Sequence, residues 1–238
     1  MTNLSAGDPI TIGMVLFEGV TQLDLTGPYE VFSRMPGAHV LLMAETDAPV
    51  RTEWGMTITP DTPFSAAPPL DVLCVPGGWG INAQLENERL IAFLRACGGQ
   101  AGYITSVCSG ALLLGAADLL RGYRATTHWM SLDLLALFGA EAVEERVVRD
   151  RNRITGGGVT AGIDFALVVA SELLGSATAQ SIQLAIEYSP EPPFDAGSPR
   201  TAPADVRERV SMASTGHLER RRAIIQRITQ GRGAAGPG

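Results

Sequence analysis

The fold and the reactive centre are both indicated by one stretch of sequence, residues 103–111, which reads YITSVCSGA. An apolar strand pattern runs up to Cys108, and a strongly apolar helix pattern follows it directly. A sharp strand-to-helix turn leaves its turn residue strained and exposed above a sheet, and it requires small residues two positions away on either side. Ser106 and Gly110 meet that requirement. We therefore predict that Cys108 is a nucleophile on such a turn.

The position of Cys108 also predicts its chemistry. At a helix N-terminus, the helix dipole and the free backbone N–H groups favour the thiolate over the thiol. The alternative is a buried structural cysteine, which is the interpretation we prefer for Cys74 and Cys97. The chain has 3 cysteines with no CxxC spacing and no secretory signal before them, so we expect reduced thiols and a cytoplasmic protein.

The pattern along the chain predicts an α/β fold. Short runs rich in Val, Ile and Leu alternate with longer helical patterns, which is typical of a mostly parallel central sheet flanked by helices. We expect one domain over residues 8–190, with a Pro-rich connection and a C-terminal amphipathic helix, residues 191–232, packed on it. A short helix is expected from Pro28 to Arg34, with Pro28 in its first turn, and the Gly and Pro tail is expected to be disordered.

The charged residues exclude several kinds of chemistry. All 18 basic residues are Arg, and the absence of Lys excludes Schiff-base catalysis and a P-loop lysine. The net charge of -7 argues against a nucleic-acid partner. We interpret the basic cluster of the last helix as a solvated face; its members are Arg220, Arg221, Arg222 and Arg227.

Neither a metal site nor a membrane segment is indicated. The 3 histidines are His39, His128 and His217, and no two of them have the spacing of metal ligands. No apolar run reaches the roughly 18 residues that a membrane span requires. We therefore expect neither a metal nor a membrane partner.

A glycine-rich turn, PGGWG at residues 76–80, closes the strand that precedes the cysteine turn. Open α/β sheets bind ligands at the carboxyl ends of their strands, so this turn should lie beside Cys108. The N–H of Gly78 would then join that of Ser109 in a two-donor site for developing negative charge. The alternative is an ordinary turn. The spacing is not GxGxxG, so a dinucleotide site is not indicated.

The glycine turn, the cysteine turn and their order resemble the ThiJ/PfpI branch of the class I glutamine amidotransferase-like superfamily. Five segments resemble the isonitrile (isocyanide) hydratases within it: QLDLTGP (22–28), TSVC (105–108), RATTHW (124–129), TGGGVTAGIDF (155–165) and PPFDAGSP (192–199). The resemblance covers about residues 8–190. It implies a flavodoxin-like sandwich, a homodimer, and hydration of a small isocyanide to an N-substituted formamide without a metal or organic cofactor.

The positions of the histidines in this chain differ from those in related families. Peptidase-like members have a His directly after the nucleophile, where this chain has Ser109. Amidotransferases use a late His-x-Glu pair, which here would be His217 and Glu219, but their helix lies outside the core pattern and we discount them. His128 is the remaining candidate for catalysis, and a buried or pocket-lining ring is the alternative. We assign Gly78, Trp79 and His128 to substrate binding.

Without a catalytic histidine, the acid-base role is left to a carboxylate. Asp24 follows the first strand, on the same sheet edge as Cys108, and the resemblance implies an acid-base Asp at this position. The alternative is a cap for the Pro28 helix. In the mechanism we expect, the Cys108 thiolate attacks the isocyanide carbon, Asp24 donates and later accepts a proton, and the Ser109 hydroxyl holds water or substrate. Proton donation at neutral pH requires that the pKa of Asp24 is raised.

Two other functions compete with this prediction. Superfamily relatives serve as ligand-binding halves of transcription regulators, which carry a C-terminal helix-turn-helix; this chain ends after one predicted helix, which disfavours that function. A glyoxalase-like or deglycase-like thiol hydrolase is the second alternative, and the missing Cys-His pair is the main objection to it.

The three glycines at residues 156–158 also allow two interpretations. They permit unusual backbone dihedrals, so strain at Val159 and a shift of the following helix when Cys108 is modified are one possibility. The other is that the glycines allow close packing of this helix on the sheet.

Overall fold

The computed structural model describes residues 9–234. The last helix was expected to end near Thr229 but continues to Ala234, so the first part of the Gly and Pro tail is helical. The disorder expected for the rest of the tail concerns residues 235–238, which lie outside the described range. Within the described range, no helix combines the length and the apolar character needed to cross a membrane.

A seven-stranded sheet forms the centre of the protein, with the order β10-β11-β7-β6-β1-β2-β5. The strands of the described residues are, in chain order, β1 (Ile10–Val15), β2 (Ala38–Ala44), β3 (Val50–Arg51), β4 (Thr57–Ile58), β5 (Thr62–Pro63), β6 (Val72–Val75), β7 (Tyr103–Val107), β8 (Arg124–Ala125), β9 (Glu141–Ala142), β10 (Val147–Asp150) and β11 (Arg153–Gly156). All neighbours in the central sheet are parallel except β10 and β11. The strands β3 and β4 form a separate hairpin, and β8 pairs with β9. The predicted mostly parallel sheet is confirmed.

Helices flank the sheet. The α-helices are, in chain order, α1 (Gln22–Phe32), α2 (Ile81–Gln84), α3 (Glu88–Gly98), α4 (Gly110–Ala116), α5 (Ala161–Leu174), α6 (Ser176–Ala185) and α7 (Ala204–Ala234). Two 3₁₀ helices span Phe64–Ala66 and Trp129–Phe138. Helix α1 packs against α5, while α4 packs against α3 and the second 3₁₀ helix. Asn87 caps α3, since its side chain accepts hydrogen bonds from the N–H groups of Arg89 and Leu90.

The sheet order places three segments with predicted site residues side by side. Strands β1, β6 and β7 are neighbours at the centre of the sheet, and their apolar side chains are almost completely buried. Because the strands are parallel, their carboxyl ends meet at one edge. Asp24 follows β1, Gly77 follows β6 and Cys108 follows β7, so the segments that carry these residues converge there.

The expected helix start at Pro28 is wrong. Helix α1 begins at Gln22, so Pro28 lies inside it and Asp24 lies in its first turn. Pro28 instead contacts α5: a Cβ added to Gly162 would lie 3.0 Å from its Cδ atom. The turn-like sequence therefore serves close helix packing, and Asp24 does not cap a Pro28 helix.

Backbone strain, one of the two interpretations of the glycines at 156–158, is not seen there: none of the three has a positive φ, and neither does Val159. Gly156 ends β11, and a Cβ added to it would lie 3.2 Å from the Cβ of Phe165 on α5. This contact favours the packing interpretation at Gly156. The strained residue near the site is Cys108 itself, with a φ of 55°.

Candidate active site

The backbone of Cys108 is strained and held on both sides. With a φ of 55°, it lies in the left-handed region that residues other than glycine rarely adopt. Its N–H donates to the carbonyl of Gly156 at 3.0 Å, and its carbonyl accepts from Thr127 Oγ1 at 2.7 Å. A Cβ on Gly110 would lie 2.1 Å from the carbonyl oxygen of Val75, so glycine is required there. The predicted strand-to-helix turn is present.

The Cys108 side chain is not the exposed, low-pKa thiol that its position predicts. It is only 6% exposed. Burial raises the pKa of this thiol well above its usual value, and the negative charge of Asp24 adds to that effect. The N–H of Ser109 acts in the opposite direction but is outweighed. The sulfur therefore carries its proton in the resting site.

Asp24 is a buried carboxyl group beside this thiol. It is completely buried, and its Oδ2 accepts a hydrogen bond from the N–H of Gly77 at 3.1 Å. Burial raises the pKa of Asp24 to about 7, although hydrogen bonds from Cys108 and Gly77 oppose the shift. Its Oδ1 is buried without a hydrogen-bond partner among residues 9–234. Near neutral pH, the carboxyl group can therefore both accept and donate a proton.

The glycine turn is used differently from our expectation. The N–H of Gly78 donates to Ser109 Oγ at 3.1 Å, and the same hydroxyl lies 3.4 Å from the Gly78 carbonyl. A two-donor site made of the Gly78 and Ser109 N–H groups is therefore not present. The two glycine amides instead hold the side chains of Asp24 and Ser109.

A pocket of about 220 Å³ opens over Cys108. Five of the six predicted site residues line it, namely Gly78, Trp79, Cys108, Ser109 and His128. The sixth, Asp24, is buried beside the thiol. The remaining lining residues are Thr21, Glu53, Met130, Val159, Ser214, His217, Leu218 and Arg221. Seven of the 13 lining residues are polar or charged, and the others are apolar or glycine, which suits a small molecule that has both a polar group and an apolar substituent.

The pocket histidines are neutral. Burial, together with the charge of Arg221, lowers the pKa of His128 to about 4, and burial lowers that of His217 to a similar value. The Met130 N–H donates to Nδ1 of His128 at 3.4 Å, so the ring hydrogen lies on Nε2. Within the described residues, no three His, Cys, Asp or Glu side chains group as metal ligands.

Four pocket residues on α7 were missed, namely Ser214, His217, Leu218 and Arg221. His217, which we discounted, lies 4.3 Å from the half-exposed Trp79 ring, measured between centroids. Arg221 is 5% exposed, so our interpretation of it as part of a solvated face is wrong. The exposed position predicted for Arg220, Arg222 and Arg227 is confirmed. The four-residue spacing of His217 and Arg221, which places both on one helix face, was the available signal.

Comparison with known proteins gives consistent matches. The model of the DJ-1/PfpI family matches residues 11–172. The chain is 50% identical over 218 residues to an isonitrile hydratase of Pseudomonas putida, covering 92% of this chain and 96% of that protein. A ThiJ/PfpI family protein from Pseudomonas syringae is 44% identical and superimposes with a TM-score of 0.90, covering 94% of both chains. An HTH-type transcriptional regulator of Pseudomonas aeruginosa is 32% identical, over 67% of this chain and 46% of the regulator.

Proposed function

The chain belongs to the DJ-1/PfpI family, and we propose that it is an isonitrile hydratase, which adds water to R–N≡C and releases R–NH–CHO. One structural observation carries the chemistry: a buried carboxyl group with a pKa of about 7 lies beside a buried, protonated thiol at the base of a small pocket. Together the two groups can move one proton between sulfur, carboxyl oxygen and substrate without a charged histidine.

In the first step, Asp24 accepts the proton of the Cys108 thiol while sulfur attacks the terminal isocyanide carbon. Asp24 then gives that proton to the same carbon, which carries the isocyanide lone pair. One C–S bond and one C–H bond form, and the product is the thioimidate R–N=CH–S–Cys108. The unpartnered Oδ1 of Asp24 is the atom we assign to this proton transfer.

In the second step, water attacks the thioimidate carbon. Asp24 takes a proton from the water and transfers it to the nitrogen, which gives R–NH–CH(OH)–S–Cys108. Asp24 next removes the hydroxyl proton, the C–S bond breaks, and the leaving sulfur regains a proton from Asp24. The products are the formamide and the original thiol, so each turnover consumes one water.

The other pocket residues orient the substrate in this proposal. The Ser109 hydroxyl, held by Gly78, lies at the pocket wall where it can bind the attacking water. Trp79 and the neutral ring of His128 contact the R group, which the pocket volume of about 220 Å³ limits to a small substituent.

We also infer a homodimer from the family resemblance, and light scattering after size-exclusion chromatography tests it.

Intact-protein mass spectrometry of an acid-quenched reaction tests the proposal. Because the thioimidate contains all atoms of the isocyanide, the protein mass should increase by the full mass of the reagent, and peptide mapping should place the adduct on Cys108. The Cys108→Ala variant should form no adduct, while Cys97→Ala should behave as wild type. A ligand-sensing protein would bind the isocyanide but form neither adduct nor formamide, and this result would refute the proposal.

A further inference from the structure

The guanidinium of Arg221 is a buried cation that has no acidic partner among the described residues. The side chain extends from α7 into the wall of the Cys108 pocket and is 5% exposed. Its Nε donates to Asn82 Oδ1 at 2.9 Å, and its Nη1 donates to Ser131 Oγ at 3.0 Å. Its Nη2 lies 3.0 Å from Nε2 of His217. No carboxylate of residues 9–234 forms an ion pair with it.

This arrangement is energetically expensive. Burying a charge is unfavourable unless an opposite charge and full hydrogen bonding compensate for it. The three partners of Arg221 are neutral, since His217 has a low pKa. A guanidinium has five N–H groups, and three have protein partners, so two are left. The positive charge is therefore held in place but not neutralised.

Arg221 and Cys108 line the same pocket, so the guanidinium lies on the side of the site that the sulfur faces. Burial lowers the pKa of the guanidinium to about 10, and the nearby sulfur of Cys108 acts in the opposite direction, as an anion would. The other ionisable groups that face Cys108 are carboxyl groups or neutral rings: Asp24 from α1, Glu53 from the β3–β4 hairpin, His128 before the second 3₁₀ helix, and His217 from α7. Within this set, Arg221 is the cation.

We propose that Arg221 is the counter-ion of the reacting sulfur: it stabilises the negative charge on Cys108 while the thiol loses its proton and again when the C–S bond breaks. Helix α7 thereby places a positive charge near the sulfur. The cysteine turn does not provide the Gly78 N–H for stabilising negative charge, because that N–H donates to Ser109. Arg221 acts through the sulfur and is a positioning residue. The proposal deepens the proposed function, but its central claim concerns Cys108 and can be tested without an isocyanide.

The competing role for Arg221 is purely structural, because its hydrogen bonds connect α7 to Asn82 and Ser131. Two variants separate the roles. Arg221→Met removes the charge and the hydrogen bonds, while Arg221→Lys keeps the charge without the planar fork of donors. Arg222→Met is the matched control, since Arg222 is exposed on the same helix and pairs with Asp133.

The experiment measures the alkylation rate of Cys108 against pH with iodoacetamide, which is neutral, and iodoacetate, which is an anion. Peptide mapping separates Cys108 from the half-buried Cys97. We expect Arg221→Met to raise the apparent pKa of the thiol, to slow alkylation near neutral pH by about tenfold, and to lower the iodoacetate-to-iodoacetamide rate ratio. Arg221→Lys should retain most of the wild-type ratio, and Arg222→Met should match wild type.

Two results would overturn the proposal. One is an unchanged pKa and rate ratio in Arg221→Met. The other is an equal loss in Arg221→Met and Arg221→Lys, which would assign Arg221 to holding α7. If the wild type fails to hydrate isocyanides but the alkylation results are as expected, the proposed function is wrong while the electrostatic role of Arg221 stands.

Discussion

The backbone N–H of Gly77 donates a hydrogen bond to Asp24 Oδ2 across 3.1 Å. The next amide in the chain, that of Gly78, holds Ser109 in the same way. The loop after β6 therefore positions the Asp24 carboxyl group and the Ser109 hydroxyl beside Cys108, the proposed nucleophile, which follows β7. Three neighbouring strand ends thus supply parts of one site.

Gly77 packs closely against Asp24 and Ser109, so adding one methyl group at this position should strongly reduce activity. A Cβ at this position would lie 2.6 Å from both N and Oγ of Ser109 and 2.9 Å from Asp24 Oδ2. We expect Gly77→Ala to lower kcat/KM by about 100-fold, because the Ser109 backbone and the side chains of Ser109 and Asp24 must shift to make room. Gly158→Ala is the control, since nothing lies within 4 Å of the added atom. Similar kinetics in the two variants would contradict this account of the loop.

Asp24→Asn should stabilise the protein at alkaline pH. The pKa of Asp24 is raised from 3.8 to about 7 in the folded state, so wild-type stability is full below the unfolded pKa and falls as pH rises toward 7. Asparagine avoids this loss and keeps an oxygen for Gly77. Unfolding in urea should show the variant more stable at pH 8, by up to about 4 kcal/mol, with the difference shrinking toward pH 4. If Asp24→Asn is less stable than wild type at every pH, burial does not destabilise the charged form of Asp24.

The pH dependence of kcat/KM should reflect the same group. The first step requires Asp24 as a carboxylate and Cys108 as a thiol, so kcat/KM should rise with pH around 7. The charge of Glu53 contributes to the raised pKa of Asp24, and Glu53→Gln should therefore shift the rise to lower pH by less than one unit. Glu45→Gln, remote and paired with Arg89, should not shift it. A profile that is flat from pH 5 to 9 would rule out this role of Asp24.

Thr127 should position the nucleophile through the backbone. Its hydroxyl donates to the Cys108 carbonyl at 2.7 Å and helps to hold the φ of 55°. We expect Thr127→Val to lower kcat by about tenfold and the free energy of unfolding by about 1–2 kcal/mol, because a buried carbonyl loses its donor. Thr127→Ser, which retains the hydroxyl, should recover most of both. Equal kinetics in Val and Ser variants would exclude a positioning role.

The parts of this structure that could be predicted from sequence depend on local patterns. The strands, the cysteine turn and the convergence of Asp24, Gly78 and Cys108 follow from periodicity, small residues at fixed spacing, and the rule that parallel strands end at one edge. These signals lie within a few residues of the features they predict.

The missed features depend on distant contacts. Arg221 reaches the pocket only because α7 returns to a site formed about 100 residues earlier, and an amphipathic helix pattern does not indicate where the helix docks. The pKa of Cys108 was predicted in the wrong direction for a similar reason. The helix N-terminus is visible in the sequence, whereas burial by surrounding elements and the charge of Asp24 appear only in the folded chain.

The most direct test of the central claim is formamide production from a small aliphatic isocyanide by wild-type protein and by Cys108→Ala. We expect the wild type to release the N-substituted formamide with many turnovers, while the folded variant produces none above the buffer rate, because alanine fits the turn but lacks the sulfur. Formamide release by Cys108→Ala at the wild-type rate, or its absence with the wild type, would contradict the account.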